Sequence, residues 1–405
     1  MNILFLSNAD IDTTAIYSDL LREFKDRGNN VYTVFPTERR QGKKTHYKIE
    51  NGIHKLRVKT GNITKVALFE KGISTILIEQ QFINALKKYF SGFTFDLILH
   101  ATPPVTFERV IRYLKKRDGC SSYLLLKDIF PQNAVDLHVL RKGSLIWRYF
   151  RAKEKRLYQI SDYIGCMSPA NIAYVLEHNP EVPKDKVEEC PNSIRPKPLL
   201  EINSRECQKI REKHAIPLDV TLFIYGGNLG KPQGIPFLLK ALDKLKDNHK
   251  VFFLIVGSGT EYLHIADTIQ KKQYSNVRLS EFLPKEDYDK LLSIADVGLI
   301  FLDSRFTIPN FPSRLTAYME AAKPILAATD VNTDLKEVII AANCGMWTES
   351  TDAEGWLKNV TKFAAESETR RQMGRNGRHY LEKFYTVSRA YDIITKHPKI
   401  STHKS

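Results

Sequence analysis

Thr221-Leu222-Phe223-Ile224-Tyr225-Gly226-Gly227-Asn228-Leu229-Gly230-Lys231-Pro232-Gln233-Gly234 is the stretch that decides the fold. Its first five residues form a β-branched and aromatic run with no charge, the composition of a strand buried on both faces of a parallel sheet. Four glycines then fall within nine residues, and Ile235–Leu245 continues with helix-like composition. Strand, glycine turn and helix form the repeating unit of a doubly wound α/β domain, which places ligands at the carboxyl ends of its strands. Glycines let a backbone come close to a ligand and expose its N–H groups. Lys231 adds a point charge suited to phosphate. The GK[ST] ending of a P-loop is missing, and so is GxGxxG. The pattern also fits a strand-helix turn that holds no ligand.

Working outward, further apolar runs predict strands at Val251–Val256, Val277–Phe282, Val297–Leu302 and Pro324–Ala328. The first half predicts strands at Ile3–Leu6, Val31–Phe35, Leu97–His100, Tyr123–Leu126 and Tyr163–Met167. Helix-like stretches separate them, so the chain reads as two doubly wound domains. The length of 405 residues suits two cores better than one. Three prolines within Pro191–Pro198 mark an extended connector. Arg370–Thr395 is helix-like, and the last residues, KHPKISTHKS, read as frayed and solvated.

Two more turns follow apolar runs in the second half. Val256-Gly257-Ser258-Gly259-Thr260-Glu261 is a glycine turn at another strand end, or simply a tight connection. In Asn310-Phe311-Pro312-Ser313-Arg314, Ser313 reads as the N-cap of a helix over Arg314–Ala322. An Arg in the first turn opposes the helix dipole. An anion between them would reconcile the two, with Arg314 gripping a phosphate; the alternative is a surface Arg on an amphipathic helix.

Lys and Arg together number 61 against 46 for Asp and Glu, a formal net charge of +15. That surplus points to an anionic partner: a phosphorylated substrate, acidic lipid or nucleic acid. The five cysteines are scattered and form no CxxC, which argues against a disulfide framework or zinc site and fits a reducing cytosol. No apolar run reaches the length of about eighteen residues that a membrane span requires. Met1–Ser7 reads as a first strand and not as a signal peptide.

The order YGGNLG, VGSG, FLPKEDYDKLLSIADVGLI and FPSRLTAYMEAAKPILAATD resembles the donor domain of family 4 glycosyltransferases. Lys127-Asp128-Ile129-Phe130-Pro131-Gln132-Asn133-Ala134 and Glu189-Cys190-Pro191-Asn192-Ser193 resemble the branch that builds capsule and O-antigen repeat units, including N-acetyl-fucosamine transferases. Arg371–Tyr385 resembles the family's closing helices. The resemblance implies a GT-B fold: two Rossmann-like domains facing across a cleft. It implies an N-terminal acceptor-binding domain over 1–195, with a C-terminal helix at about 385–405 packing back on it, and a donor-binding domain over 196–384. It implies sugar transfer with retention of configuration and without a metal or other cofactor, the UDP-sugar being a co-substrate. Cationic groups must then stabilise the leaving diphosphate. Lys231 and Arg314 match the basic positions of their segments. Gly227, Asn228, Gly230, Gly257 and Ser313 line the donor turns, and Phe282, Leu283 and Pro284 fall where the family's backbone holds the base.

The sequence also departs from the family. Two glutamates usually flank the third segment, with seven residues between them; here those positions are Pro309 and Ala317. The second binds the donor ribose, and Glu320, one helical turn on, is the substitute. The glycine before the proline is replaced in Ala322-Lys323-Pro324, and the Gly-Arg pair of the donor loop is Gly227-Asn228.

In the first half, His100 ends a strand and would face donor or acceptor, or else satisfy a loop carbonyl. Asp128 ends the next apolar run and is the candidate to orient or deprotonate the acceptor hydroxyl, or else a helix cap. Asp10-Ile11-Asp12 and Asp287-Tyr288-Asp289 have the DxD form that binds metals in other glycosyltransferases; both read here as solvated. Arg141–Tyr158 holds seven basic residues and one acidic, with Leu145, Ile146, Tyr149 and Phe150 at helical spacing. That is the composition of an interfacial helix at an acidic membrane, or of a helix packed on its own domain.

The expected protein is a cytoplasmic, peripheral glycosyltransferase moving a sugar from a nucleotide-sugar donor to a lipid-linked or saccharide acceptor, with no nucleic acid partner. The alternatives are a UDP-N-acetylglucosamine 2-epimerase-like enzyme on the same fold and a non-enzymatic basic adaptor for membrane or nucleic acid.

Overall fold

The computed structural model describes residues 1–11, 15–62 and 68–401. They form two compact units: Met1–Arg195 with the chain from Thr386 onward, and Pro196–Tyr385.

Unit 1 runs β1 (Asn2–Leu6), α1 (Ala15–Asp26), β2 (Asn30–Glu38), β3 (His46–Glu50), β4 (Ile53–Thr60), α2 (Leu68–Tyr89), β5 (Leu97–Ala101), α3 (Glu108–Asp118), β6 (Ser121–Leu126), α4 (Gln132–Asp136), α5 (Leu145–Ile160), β7 (Tyr163–Cys166), α6 (Pro169–His178) and β8 (Val187–Glu189). The strand order is β3-β4-β2-β1-β5-β6-β7-β8. The pairings are parallel except β3 with β4, which is antiparallel. The central strands β1, β5 and β6 are buried on both faces, as their unbroken apolar runs require. The hairpin turns on Asn51-Gly52, both at positive φ, the backbone that a two-residue hairpin favours.

Unit 2 runs α7 (Ser204–Lys213), β9 (Thr221–Asn228), α8 (Ile235–Leu245), β10 (Val251–Ser258), α9 (Tyr262–Lys272), β11 (Val277–Ser280), α10 (Lys285–Ile294), β12 (Val297–Phe301), α11 (Arg314–Glu320), β13 (Ile325–Thr329), α12 (Leu335–Ala342), β14 (Gly345–Glu349), α13 (Ala353–Ala365) and α14 (Ser367–Phe384). Its parallel strands lie in the order β11-β10-β9-β12-β13-β14. Counted from β9, that is 3-2-1-4-5-6, the doubly wound arrangement whose switch point falls between the first and fourth strands. The quoted glycine turn leaves β9 there. On one face of the sheet Trp356 of α13 is fully buried among Phe237, Phe253 and Phe301, with ring centroids 5.8–6.4 Å away. Truncating such a ring to Ala costs about 3–5 kcal/mol.

The chain then returns to unit 1 as α15 (Val387–Thr395) and α16 (Pro398–Ser401). This corrects the expectation of a frayed KHPKIS segment. Ile394 and Ile400 are fully buried in the unit 1 core. The His397 ring stacks on Tyr163 at 3.7 Å, and its Nε2 lies 2.7 Å from Glu188. Apolar Ile400 at the end of a basic, polar stretch is what anchors it. Residues 402–405 lie outside the described residues.

Candidate active site

At the switch point each glycine of unit 2 answers a particular neighbour. A Cβ on Gly226 would stand 2.0 Å from the Tyr288 hydroxyl of α10. Gly227 has φ +127°, where side chains are strained. A Cβ on Gly257 would lie 1.9 Å from the Gly227 carbonyl oxygen, and one on Gly259 2.3 Å from that of Leu229. The two glycine turns therefore interlock: Leu229 N–H donates to Ser258 O and Glu261 N–H to Leu229 O, both at 2.9 Å. On the β12 side, Asp303 N–H donates to Pro232 O at 3.0 Å. The loop is thus fixed from both neighbouring strands.

Arg314, at the start of α11, reaches under this loop. Its Nε donates to Gly226 O (3.0 Å), Nη1 to Gln233 Oε1 (2.8 Å) and Nη2 to the Tyr225 hydroxyl (2.7 Å). Its guanidinium carbon lies 4.2 Å from the Tyr225 ring centroid. Tyr225 O–H bridges onward to Asn228 O and Gln233 Oε1. Burial raises the Tyr225 pKa, against the pull of Arg314. Three of the five guanidinium N–H groups are committed to the loop, which leaves the cation half-buried at its edge. Gly227, Asn228 and Lys231 are exposed, Lys231 in a short 3-10 turn over Lys231–Gln233; Gly230 is buried.

Several expectations change. Gly257 is buried and acts on the loop through the Gly227 carbonyl. Ser313 is not a side-chain cap: its backbone is already helical, and its side chain makes no capping bond. The helix ends at Glu320, short of Ala322. Glu320 is no substitute for the missing glutamate. It sits at the opposite end of α11 from Arg314, and its carboxylate accepts from the Lys197 backbone N–H at 3.0 Å. The strand expected to run to Phe282 stops at Ser280. Phe282 is exposed, Leu283 half-buried, and Pro284 precedes α10. Tyr225 and Gln233 were missed as site residues. An aromatic hydroxyl ending a buried strand directly before glycines was the available signal.

In unit 1, Thr102 Oγ1 accepts from the backbone N–H groups of Lys127 (3.1 Å) and Asp128 (3.2 Å), fixing the turn after β6. Asn133 Nδ2 donates to Asp128 Oδ1 at 3.1 Å. Burial pushes the Asp128 carboxyl from 3.8 up to about 6, with the Asn133 bond opposing. Burial lowers the neighbouring Lys127 to about 8; its Nζ lies 3.4 Å from Cys190 O. A carboxyl poised near neutrality suits proton transfer.

His100 faces no opening. It is fully buried, Nε2 lies 3.3 Å from Ser161 Oγ, and burial drives its pKa down to about 3. Position at a strand end did not reveal that this side chain points into the core. The basic helix also divides. Leu145 and Ile146 are 83% and 62% exposed, but Phe150 packs edge-on against Phe130, and Lys153 is buried in an ion pair with Glu79 at 2.7 Å. Asp289 pairs with Lys285 at 2.8 Å, and Asp12 lies outside the described residues. Among the described residues, no group of three or more His, Cys, Asp or Glu side chains could hold a metal ion, and no helix is long and apolar enough to cross a membrane.

Two doubly wound units, the second carrying an Arg-braced glycine turn at its switch point, make up a GT-B fold. The structure is similar to sucrose-phosphate synthase from Thermosynechococcus elongatus, with TM-score 0.79 and 16% identity over 100% of both chains. It is also similar to Anabaena HepE in complex with UDP, with TM-score 0.70 and 13% identity over 98% of this chain and 99% of that one. At such identities the likeness speaks for the fold. Residues 206–380 match the family "Glycosyl transferases group 1". The chain is 26% identical to the probable glycosyltransferase WbjE of Pseudomonas aeruginosa over 69% of its own length and 68% of that protein. It is 22% identical to the putative colanic acid biosynthesis glycosyl transferase WcaI of Escherichia coli (strain K12), over 60% of each. The chain is a glycosyltransferase, and the group 1 likeness lies in its second unit.

Proposed function

We propose that the chain transfers a sugar, with retention of configuration, from a UDP-sugar to a polyprenyl-diphosphate-linked saccharide during synthesis of a cell-surface polysaccharide. The observation that carries this reading is the grip of Arg314 on Gly226, Tyr225 and Gln233, which fixes a cation against an exposed glycine turn. Such a cation and turn are suited to the charge that develops on a departing diphosphate. UDP bound to HepE and the colanic acid role in the name of WcaI support the donor and pathway class. An N-acetylated deoxyhexosamine is the sugar that the resemblance to capsule and O-antigen enzymes favours.

In this reading, the exposed Gly227-Asn228 backbone holds the diphosphate together with Lys231 and the two uncommitted N–H groups of Arg314. The exposed ring of Phe282 and the backbone of Leu283–Pro284 meet the base. The bond from the sugar C1 to the UDP oxygen breaks as the acceptor oxygen bonds C1. Asp128 or a donor phosphate oxygen takes the acceptor proton. The enzyme works without a metal. Leu145 and Ile146, beside Arg141, Lys142 and Arg148, rest on the acidic inner face of the cell membrane, where the lipid-linked acceptor lies.

The test is to incubate the full chain with UDP-sugars and a synthetic polyprenyl-diphosphate-linked monosaccharide, following UDP release and product. Acceptor-dependent UDP release with an α-linked product from an α-linked donor is expected. Conversion of the UDP-sugar to its epimer without acceptor would replace this reading with the epimerase.

A further inference from the structure

We propose that the tip of the β2–β4 arm in unit 1 is a cationic site for the diphosphate of the lipid-linked acceptor. Naming the acceptor rests on the transfer reading above. Between Glu38 and Thr60 the chain carries eight Lys and Arg against two Glu, a surplus of six within its formal net charge of +15. The fold gathers that charge at one end. β1 pairs with β2 only from Asn30 to Val34, whereas β4 stays paired with β2 as far as Glu38. The arm therefore runs on for Phe35–Glu38, about 13 Å, past the end of β1.

The tip is braced by its backbone. A single 3-10 turn over Arg39–Gln41 closes on Gly42 at φ +67°, whose N–H donates to Arg39 O at 3.1 Å. Arg40 N–H donates to Asn62 Oδ1 (3.0 Å), Lys59 N–H to Thr45 Oγ1 (2.9 Å), and the Tyr89 hydroxyl of α2 to Thr45 O (3.1 Å). Lys59 of β4 is thereby held next to the loop that carries Lys43 and Lys44. Arg39, Arg40, Lys43, Lys44 and Lys59 are all exposed. With the backbone fixed, closing them on an anion costs mainly side-chain entropy.

The acids of the arm are answered within it. Glu38 pairs with Arg40 at 2.7 Å, Glu50 pairs with Arg57 (2.8 Å) and Lys55 (3.2 Å), and Asp10 lies 3.8 Å from Arg57. Among the described residues, no carboxylate pairs with Lys43, Lys44 or Lys59. Three such point charges at one braced tip call for an anion with several oxygens. Nucleic acid fits less well. The tip, RRQGKKT over 39–45, has no aromatic ring for a base to stack on, and its cations cluster at one point instead of following a track.

The position suits the acceptor's diphosphate. Asp128 follows β6, and β2 stands three strand spacings from it in the order β2-β1-β5-β6, about 14 Å at the level of the sheet. Both sites follow the carboxyl ends of parallel strands and so lie on one edge. An acceptor that offers a sugar hydroxyl to Asp128 carries its diphosphate on the far side of that sugar. The diphosphate then needs cations on the same edge but clear of Asp128, which is where the arm places them.

The probe is geranyl diphosphate, titrated into the full chain with UDP saturating the donor turn and with geraniol as the uncharged control. Geranyl diphosphate is expected to bind and geraniol not to. Lys43→Gln, Lys44→Gln and Lys59→Gln together weaken that binding about tenfold and lessen its dependence on salt. The triple variant raises KM for the lipid-linked acceptor by the same factor, with kcat and UDP affinity unchanged. Lys43→Glu with Lys44→Glu, both outside the strands, gives the same pattern if the triple variant does not fold. No binding of geranyl diphosphate, or equal affinity in the chain and its variants, would overturn the proposal. So would variants that lose binding to phosphatidylglycerol vesicles and keep geranyl diphosphate, since the arm would then be a lipid contact. Absence of UDP-dependent transfer by the unaltered chain would instead sink the transfer reading, and the geranyl diphosphate titration would still judge the arm.

Discussion

Arg314 lies over Tyr225, its guanidinium carbon 4.2 Å from the ring centroid while Nη2 donates to the phenol oxygen at 2.7 Å. One cation thus holds the strand end before the glycines and the loop after them. A lysine offers the charge without the planar fork. Arg314→Lys is therefore expected to lower kcat/KM about 100- to 1000-fold, the range seen when one donor to a developing oxyanion is lost. Steady-state kinetics with saturating acceptor read this directly. Recovery of more than half the activity would show that charge alone suffices.

Gly257 is expected to be intolerant for a mechanical reason. Its added Cβ would meet the Gly227 carbonyl, which is backbone and cannot rotate away. Gly257→Ala should cost about 1–3 kcal/mol in urea denaturation and weaken UDP binding. Gly92→Ala is the control: nothing lies within 4 Å of its Cβ position, and a change within about 0.5 kcal/mol is expected.

Ala322 adopts φ +52°, the left-handed backbone, at the place where the family carries glycine. The replacement has kept the conformation and lost the residue that adopts it freely. Ala322→Gly should stabilise the protein by up to about 1 kcal/mol, read as a raised urea midpoint with unchanged slope. A destabilised variant would mean that the alanine methyl packs usefully.

Central strands and the glycine turn after β9 were legible because buried parallel strands are written as unbroken apolar runs and their turns as glycines. The hairpin was not. His46–Glu50 and Ile53–Thr60 are half polar, and buried Lys55 pairs with Glu50 at 3.2 Å. Asn51-Gly52 was the unread signal. Edge strand β14, with Gly345, Met346 and Trp347 half-buried, shows no apolar run either. At the site, spacing located Arg314 and the glycines. It could not tell which face of β5 carries His100 or that the linker claims Glu320. Those outcomes depend on contacts distant in sequence.

Asp128 and His100 make opposite demands on pH. With its carboxyl near 6, Asp128 serves as a base only above that pH, so kcat/KM should fall about tenfold per unit below it. The folded state holds the Asp128 proton more tightly than the unfolded state does. Its charge therefore costs up to about 3 kcal/mol at pH 7, a cost relieved as pH falls through 6. Asp128→Asn should be inactive yet no less stable at pH 7. Activity that stays flat down to pH 5 would assign the proton to a donor phosphate oxygen.

His100 is held neutral, with its pKa lowered from 6.5 to about 3. The unfolded chain binds the proton first, so stability falls as pH drops from 6.5 towards 3, by up to about 5 kcal/mol. His100→Leu should flatten acid denaturation and leave kcat within about threefold, as for a residue that touches no substrate. A kcat loss of several hundredfold would restore His100 to the reacting centre.

Lys231, Arg314 and the glycine turn are expected to bind a nucleoside diphosphate without a metal. The decisive measurement is calorimetric titration of UDP into the full chain in the presence of EDTA. Saturable binding is predicted, weakened about tenfold or more by Lys231→Ala and about a hundredfold by Arg314→Gln. Binding that vanishes in EDTA, or that both variants retain unchanged, would contradict it.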